Sequence, residues 1–403
     1  MEFDIMGKTL KIGIIGVHGR GMHAYKAHQP ENGLEIVMGA DPFYDKPPQS
    51  NLALPDFKPF QEKFPDAAVT RDYRELLANK DIDIVFVMSP DFCHEEQTIA
   101  ALEAGKAVYL EKPMAITLEG CDRILETAYR TKSKLFIGHN MRYFPSVLKM
   151  KEVIDSGIIG DIQCGWCRHF IGYGGDAYFR DWHSEQKNSN GLLLQKGAHD
   201  IDVMHWLMGS STRRVVGMGM LSVYNRCARR PDDGTPGCAK WSNAQYPPLE
   251  QNGFSPVIDV EDHNMIMMQL ANGAQATYMQ CHYSPDSERN YTFIGTKGRV
   301  ENIGDHGDCQ IHVWTSRGSR QKPDIIYDLK GSVIDHGGAD TPTVTSFLDF
   351  VRYGAPTNAN PVAARDAVAT GVLGHCSMRN GNIPMEIPQL DENLVKYFIN
   401  GQK

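Results

Sequence analysis

Short apolar runs alternate with helix-like stretches through the first 140 positions of the chain. Leu10 to Ile15, Leu34 to Ala40, Ile82 to Met88, Ala107 to Leu110 and Lys134 to Gly138 read as strands. Cys93 to Ala104 and Leu118 to Arg130 have helical composition, and Gly105 stands where a helix stops. The repeated βαβ order predicts a parallel sheet covered by helices. Pro42 to Phe60, with Pro47, Pro48, Pro55 and Pro59, reads as a long surface connection, because proline supplies no ladder donor and breaks helices.

From about residue 160 the pattern changes to long alternating segments, Ile162 to Gly172, Arg214 to Tyr224, Val257 to Leu270 and Ala274 to Tyr283. Asn272-Gly273 between the last two predicts a hairpin with a type I′ turn, since both residues tolerate positive φ. The second half is thus expected to be a large, mostly antiparallel open sheet. Helices from Asp200 to Met208, Thr343 to Tyr353 and Pro361 to Arg379 would cover one face and leave the other for a partner subunit. The whole is α/β, divided into a domain at 8–140 and a second at 141–403. Arg226 to Pro256 is irregular and long enough to suggest a functional or interface role.

The 403 residues suit about two to three domains at roughly 150 residues each. With 41 basic against 49 acidic side chains the net charge is −8, which argues against an electrostatic nucleic-acid binder. A bilayer span needs roughly 20 consecutive apolar residues, and no such run or signal-peptide pattern is present, so a cytoplasmic protein without membrane attachment is expected. Nine widely spread cysteines fit reduced thiols better than a disulfide framework. Cys164 and Cys167 form a Cys-x-x-Cys, but on a strand residues three apart point to opposite faces, and no second pair completes a metal site. Cys227 and Cys238 flank a loop and are expected to be reduced. No metal is expected, although His199, Asp202 and His205 recur every three residues, because histidines six apart diverge around a helix.

The first strand runs into Gly13-Ile-Ile-Gly16-Val-His18-Gly19-Arg20-Gly21, a glycine-rich turn that lets a pyrophosphate approach the backbone and a helix N-terminus. Asp41 ends the second strand, where a carboxylate takes ribose hydroxyls and repels a 2′-phosphate. No basic residue follows until Lys46, which favours NAD as cofactor. His18 replaces the second glycine of the usual fingerprint.

Ser89-Pro90-Asp91-Phe92-Cys93-His94, Ala101-Leu102-Glu103-Ala104-Gly105-Lys106 and Glu111-Lys112-Pro113-Met114-Ala115 resemble the T-P-N-x-x-H, A-L-x-A-G-K and E-K-P-x-A signatures of the Gfo/Idh/MocA oxidoreductases. The likeness continues through Gly138 to Pro145, Ser156 to Gly160, Gly197 to Asp202 and Gly295 to Gly298. It implies an N-terminal Rossmann domain, a C-terminal open-sheet domain with a site in the cleft between them, and oxidation of a ring hydroxyl of a sugar or cyclitol, or the reverse. By this resemblance Lys112 is the lysine of the E-K-P motif, Pro113 follows a cis peptide, and His199 is the histidine of a D-x-x-x-H pattern. Gln195 stands where that pattern has aspartate, followed by Lys196. An amide cannot act as a carboxylate base, so Gln195 is expected to orient rather than ionise. The resemblance also points to a homodimer or homotetramer.

Chemistry supports these residues independently. Hydride transfer from a secondary alcohol requires removal of the hydroxyl proton and stabilisation of the alkoxide. His199 can accept the proton while Lys112 polarises the oxygen. Lys196 adds positive charge there, recognises an anionic substrate group, or is a plain surface lysine. Cofactor contacts are expected from Gly16, His18, Gly19, Arg20, Gly21, Asp41, Ser89, Pro90, His94, Glu111 and Lys112. Arg180, Trp182 and His183 belong to a run, Tyr178 to His183, whose aromatic and basic side chains suit sugar rings. Together with Arg142, Tyr143, Lys196 and Asp202 they are the substrate candidates. The leading reading is an NAD-dependent dehydrogenase of a sugar, glycoside or cyclitol. The rival is an NAD-dependent glycoside hydrolase that oxidises, eliminates, adds water and reduces again.

Overall fold

The computed structural model describes residues 8–45, 59–172, 175–233, 246–305, 307–331 and 335–403. Most of the proline-rich connection, Lys46 with it, and Cys238 within the irregular segment therefore lie outside the described residues. The chain forms two compact units. The first takes the chain up to His139 together with Thr341–Arg365 and Gln389–Lys403, and the second takes Asn140–Asp340 and Asp366–Pro388. A single division near residue 140 thus leaves out two later segments that return to the first unit.

In the first unit six strands, β1 (Leu10–Ile15), β2 (Leu34–Ala40), β3 (Ala68–Thr70), β4 (Ile84–Val87), β5 (Ala107–Leu110) and β6 (Leu135–Ile137), pair in parallel in the order β3-β2-β1-β4-β5-β6. This doubly wound order reverses direction beside β1, so the ends of β1, β4 and β5 form the natural ligand crevice. Helices Tyr73–Ala78 and Leu118–Thr131 start on Asp72 and Thr117, whose side chains accept backbone N–H bonds from Arg74 and Gly120. The helix expected after the glycine turn is a 3-10 helix, Gly19–Ala27. Three-residue β3 is too short to announce itself by periodicity.

Why the chain returns is visible in the core. The Phe86 and Tyr109 rings stack at 4.9 Å, Phe136 stacks on Tyr109 at 5.4 Å, and Phe347 of the helix Asp340–Tyr353 meets Phe86 and Tyr109 edge-on at 5.4 Å. Val344, Leu348, Phe350 and Val351 of the same helix are buried in that cluster. The apolar stripe of this late helix has its partner in the first sheet.

The second unit carries nine strands: β7 (Ile162–Phe170), β8 (Thr212–Met220), β9 (His263–Leu270), β10 (Gln275–Cys281), β11 (Glu288–Gly295), β12 (Arg299–Ile303), β13 (Cys309–Trp314), β14 (Ile325–Leu329) and β15 (Met385–Glu386). Their order is β14-β13-β12-β11-β7-β10-β9-β8-β15, antiparallel throughout except β7 with β10. The β9–β10 hairpin differs from expectation. Gly273 has φ +88°, but Asn272 is not in the positive-φ region. The Leu270 N–H donates to the Ala274 carbonyl and the Gly273 N–H to the Leu270 carbonyl, which makes a three-residue loop closed by a left-handed glycine. Cys167 is buried and Cys164 half-buried on opposite faces of β7, and both are free thiols. Helix Gly197–Met208 packs on β7 and β10, and a Cβ at Gly217 of β8 would meet the Gly374 carbonyl of helix Pro361–Arg379 at 2.6 Å. No helix among the described residues is long and apolar enough to cross a membrane.

Because Phe347 is fully buried among three rings, Phe347→Ala should destabilise the first unit by about 3–5 kcal/mol. Thermal unfolding of the variant checks this; an unchanged transition would mean that the helix is dispensable to the sheet.

Candidate active site

At the end of β1, Gly16 has φ +82°, and a Cβ at Gly21 would lie 1.9 Å from the Gly16 carbonyl oxygen. Only glycine lets the turn close so tightly. No side chain caps the 3-10 helix that follows His18. Asp41 leaves β2 beside this turn; its Oδ2 accepts the Val17 N–H at 3.1 Å and its Oδ1 the Phe43 N–H at 2.8 Å. His18 Nε2 lies 3.2 Å from the Phe43 carbonyl.

Two loops from β4 and β5 meet beside the turn. Arg20 donates through Nε to Glu111 Oε1 at 2.8 Å, and the other carboxylate oxygen accepts the Lys112 N–H at 2.6 Å. Burial opposes ionisation of Glu111, but Arg20, Lys112 and His23 outweigh it and hold the carboxyl below its usual range. The Lys112-Pro113 bond is cis, as the motif implies. His94 spans the loops, with Nδ1 2.7 Å from the Pro113 carbonyl and Nε2 2.9 Å from the Ser89 carbonyl. Burial lowers its pKa against the pull of both carbonyls, so a neutral ring donates to one of them at a time. Ser89 Oγ donates to Gln97. Lys112 is itself half-exposed.

In the second unit Gln195 ends the short helix Leu192–Gln195, and His199 lies in the first turn of Gly197–Met208. Gln195 is buried, whereas Lys196 and His199 are half-exposed. Asp200 is fully buried. Its Oδ1 ion-pairs with Arg289 Nε at 2.7 Å and accepts Tyr291 O–H at 2.5 Å, while Oδ2 lies 2.9 Å from His169 Nδ1 and 3.0 Å from the Tyr278 hydroxyl. His169 fits this as a neutral ring: Nδ1–H donates to Asp200, and Nε2 accepts from Arg289 Nη2 at 3.2 Å. Burial and Arg289 push its pKa down to about 4 against the pull of Asp200. For Asp200 burial is outweighed by Arg289 and His169, which hold it well below the carboxylate range.

The substrate candidates separate into three groups. Trp182 stacks on His183 at 3.7 Å, His183 meets Tyr178 edge-on at 5.1 Å, and Lys196 Nζ stands 5.8 Å over the Tyr178 ring. These form one half-buried aromatic and cationic patch, with His282 against Tyr178 at 5.6 Å. Arg180 instead gives its guanidinium to the Asn252 carbonyl and Gln251 Oε1 and lies 4.1 Å from the Phe254 ring, bracing the irregular segment. Arg142 and Asp202 form a buried ion pair, Nε to Oδ2 2.7 Å and Nη2 to Oδ1 2.6 Å. Tyr143 beside them is half-buried. Tyr178, His282 and Asp91 were not among the site residues expected from sequence; a tyrosine in an aromatic run and an aspartate after Ser-Pro were their only signals.

Residues 10–139 match the model of the oxidoreductase family with an NAD-binding Rossmann fold, and residues 147–301 match the GFO/IDH/MocA C-terminal domain. The chain belongs to the Gfo/Idh/MocA oxidoreductase family. The inositol 2-dehydrogenase of Salmonella typhimurium is 29% identical over 388 residues, 94% of this chain and 98% of that one. Among solved structures, levoglucosan dehydrogenase in complex with NADH and levoglucosan superposes with a TM-score of 0.72 at 18% identity, covering 94% of this chain and 100% of that one. GenD2 from gentamicin A biosynthesis, in complex with NAD, gives 0.68 at 20% identity, covering 95% and 98%. This Gfo/Idh/MocA chain fits the cofactor of its family by its own geometry. The uncapped N-terminus after His18 and the space kept by Gly16 and Gly21 suit a pyrophosphate, and Asp41 stands where ribose hydroxyls reach a carboxylate.

Asp200→Asn would remove the buried carboxylate that pairs with Arg289 Nε and leave the guanidinium only Asp305 as counter-ion, a loss of about 3–5 kcal/mol. Because the folded pKa of Asp200 is depressed, its stabilisation is present above the unfolded carboxyl pKa of about 4 and is lost as pH falls toward the folded value. The gap in melting temperature between wild type and variant should therefore narrow between pH 7 and pH 3; a constant gap would contradict the ion pairing.

Proposed function

We propose that the protein is an NAD-dependent dehydrogenase acting on a ring hydroxyl of a sugar, glycoside or cyclitol, or on the matching ketone. The observation that carries this reading is the build of Lys112: half-exposed, with its backbone N–H held by Glu111, which is itself tied to the cofactor turn through Arg20. Bound NAD would supply the hydride acceptor. Lys112 hydrogen-bonds the reacting oxygen and stabilises it as negative charge develops. His199 takes the hydroxyl proton, and Gln195 orients it without ionising. The patch of Tyr178, Trp182, His183 and Lys196 offers ring faces and donors to a polyhydroxylated substrate. The substrate class is also supported by the names of relatives, inositol 2-dehydrogenase and levoglucosan dehydrogenase.

Lys112→Ala and His199→Ala should each cut turnover by roughly 10² to 10⁴ with little change in NAD affinity. Single-turnover assays on a panel including myo-inositol and levoglucosan check this, with reduced cofactor followed beside any released aglycone. Near-normal rates in both variants would remove these residues from the chemistry, and aglycone release with little reduced cofactor would favour hydrolysis over net oxidation. Calorimetry should find NAD bound more tightly than NADP, with the preference lost in Asp41→Ala.

The exposed face of the second sheet supports the assembly. Met218 of β8, Met265 of β9 and Met279 of β10 fall in one register row, and Met218, Met220, Met265 and Met267 are 48–62% exposed. An adaptable apolar face of this kind is covered by a second copy of the chain in the proposed homodimer or homotetramer. Light scattering should give a multiple of 45.0 kDa, reduced toward the monomer by Met265→Glu with Met267→Glu. A wild-type monomer at micromolar concentration would refute the interface.

A further inference from the structure

Strands β2 and β3 run in parallel with Ala40 paired to Thr70, and the next residue after β2, Asp41, donates its N–H to the Thr70 carbonyl at 3.0 Å. Asp41 and Arg71 therefore leave the sheet side by side, at the end where a doubly wound fold takes its ligands. The backbone on either side of Arg71 is fixed: Thr70 is buried, and Asp72 caps the following helix by accepting the Arg74 N–H. The Arg71 side chain crosses to the chain after Asp41. It donates through Nη1 to the Pro42 carbonyl and through Nη2 to Asp45 Oδ2 at 2.9 Å, and its guanidinium carbon stands 5.1 Å over the Tyr44 ring. In sequence no basic residue stands between Asp41 and Lys46; the fold brings one there from 29 positions beyond Pro42.

We propose that Arg71 is a second specificity residue of the ribose site, the group that receives a 2′-phosphate, so that this chain opposes NADP through Asp41 and draws it through Arg71. This rests on the reading of Asp41 as the carboxylate that takes the ribose hydroxyls. A guanidinium carries five N–H groups in one plane, and two of them are engaged by described residues, which leaves donors for a phosphate. The present counter-ion gives way easily: the Arg71 and Asp45 side chains are 55% and 44% exposed, and an ion pair so open to water is weak. A phosphate monoester carries a charge of about −1.5 to −2 at pH 7 and three acceptor oxygens, and arginine meets it with two parallel bonds. The Pro42 carbonyl and the Tyr44 ring keep the guanidinium beside Asp41 while Asp45 is exchanged for the phosphate. NAD, with a hydroxyl at the same position, offers Arg71 no charge and is left to Asp41.

Titration calorimetry on the full chain tests this with NAD and NADP, which differ only in the 2′-phosphate, and needs no sugar substrate. The comparison is made in Asp41→Ala, where the opposing carboxylate is gone. Adding Arg71→Ala should raise the Kd of NADP by about tenfold or more, the usual weight of a charge-assisted bond, while the Kd of NAD stays within about threefold. Arg71→Gln keeps a donor for the Pro42 carbonyl but no charge and should show the same loss, whereas Arg71→Lys should retain part of the NADP affinity. Added salt should weaken NADP binding more when Arg71 is present than when it is replaced. Equal shifts for the two nucleotides would mean that Arg71 only braces the Pro42–Asp45 loop. Unchanged NADP binding in Arg71→Ala or Arg71→Gln, or no NADP binding in Asp41→Ala, would mean that Arg71 does not meet the phosphate. Each of these results overturns the proposal. An Asp41→Ala variant that binds NAD as tightly as wild type would count against the reading of Asp41 and leave the Arg71 comparison, made within one background, standing.

Discussion

A carboxylate taken out of water is tolerated only where donors meet its lone pairs, and the second unit is organised by that constraint. Asp200, with no exposed surface, is met by Arg289, His169, Tyr278 and Tyr291. These partners come from β7, β10 and β11, three neighbouring strands, so one charge pins the first turn of helix Gly197–Met208 to the middle of the sheet. Arg289 passes the demand on to Asp305 at 3.0 Å. An isolated pair at this depth would gain little over apolar packing, but here the geometry selects one seating of the helix.

The first unit solves a different problem by the same means. Glu111 is 3% exposed and is satisfied by Arg20 and by the Lys112 backbone. Glu111-Lys112 and His199-Asp200 are thus matching dipeptides, each a buried, fully engaged carboxylate beside a half-exposed group suited to proton chemistry. Neighbouring residues point in different directions, so anchoring one member aims the other. The half-exposed members keep their reach toward solvent because their neighbours carry the cost of rigidity.

Strands β1, β2 and β5 were legible to the residue, because both-face burial leaves apolar runs with sharp ends. The glycine turn was legible for a steric reason, the 1.9 Å approach at Gly21. What escaped was set by distant chain. Helix Asp340–Tyr353 shows its apolar stripe in sequence, yet nothing local says that the stripe belongs with Phe86 and Tyr109. Arg180 reads in sequence as a sugar ligand, and only the fold shows its donors on the Asn252 carbonyl and Gln251. The hairpin after β9 misled because Asn-Gly suits both a two-residue turn and a three-residue loop with glycine last, and the register of β9 against β10 chooses the second. Asp200 is the plainest case, an aspartate among ordinary helix residues whose partners lie 31, 78 and 91 positions away.

The exchange of a carboxyl for an amide at Gln195 acquires its meaning from these neighbours. Within the second unit Asp200 already satisfies its own donors and has no charge to spare for the turn that carries His199, and Gln195 is buried and uncharged. Lys196 adjoins it, half-exposed, with its ammonium 5.8 Å over the Tyr178 ring. From Gln195 to His199 the one formally charged side chain is the cation Lys196, beside the ring patch of Tyr178, Trp182 and His183. Gln195 and Lys196 thus put an uncharged amide and a cation, rather than a carboxylate, into the turn that leads into the helix of His199.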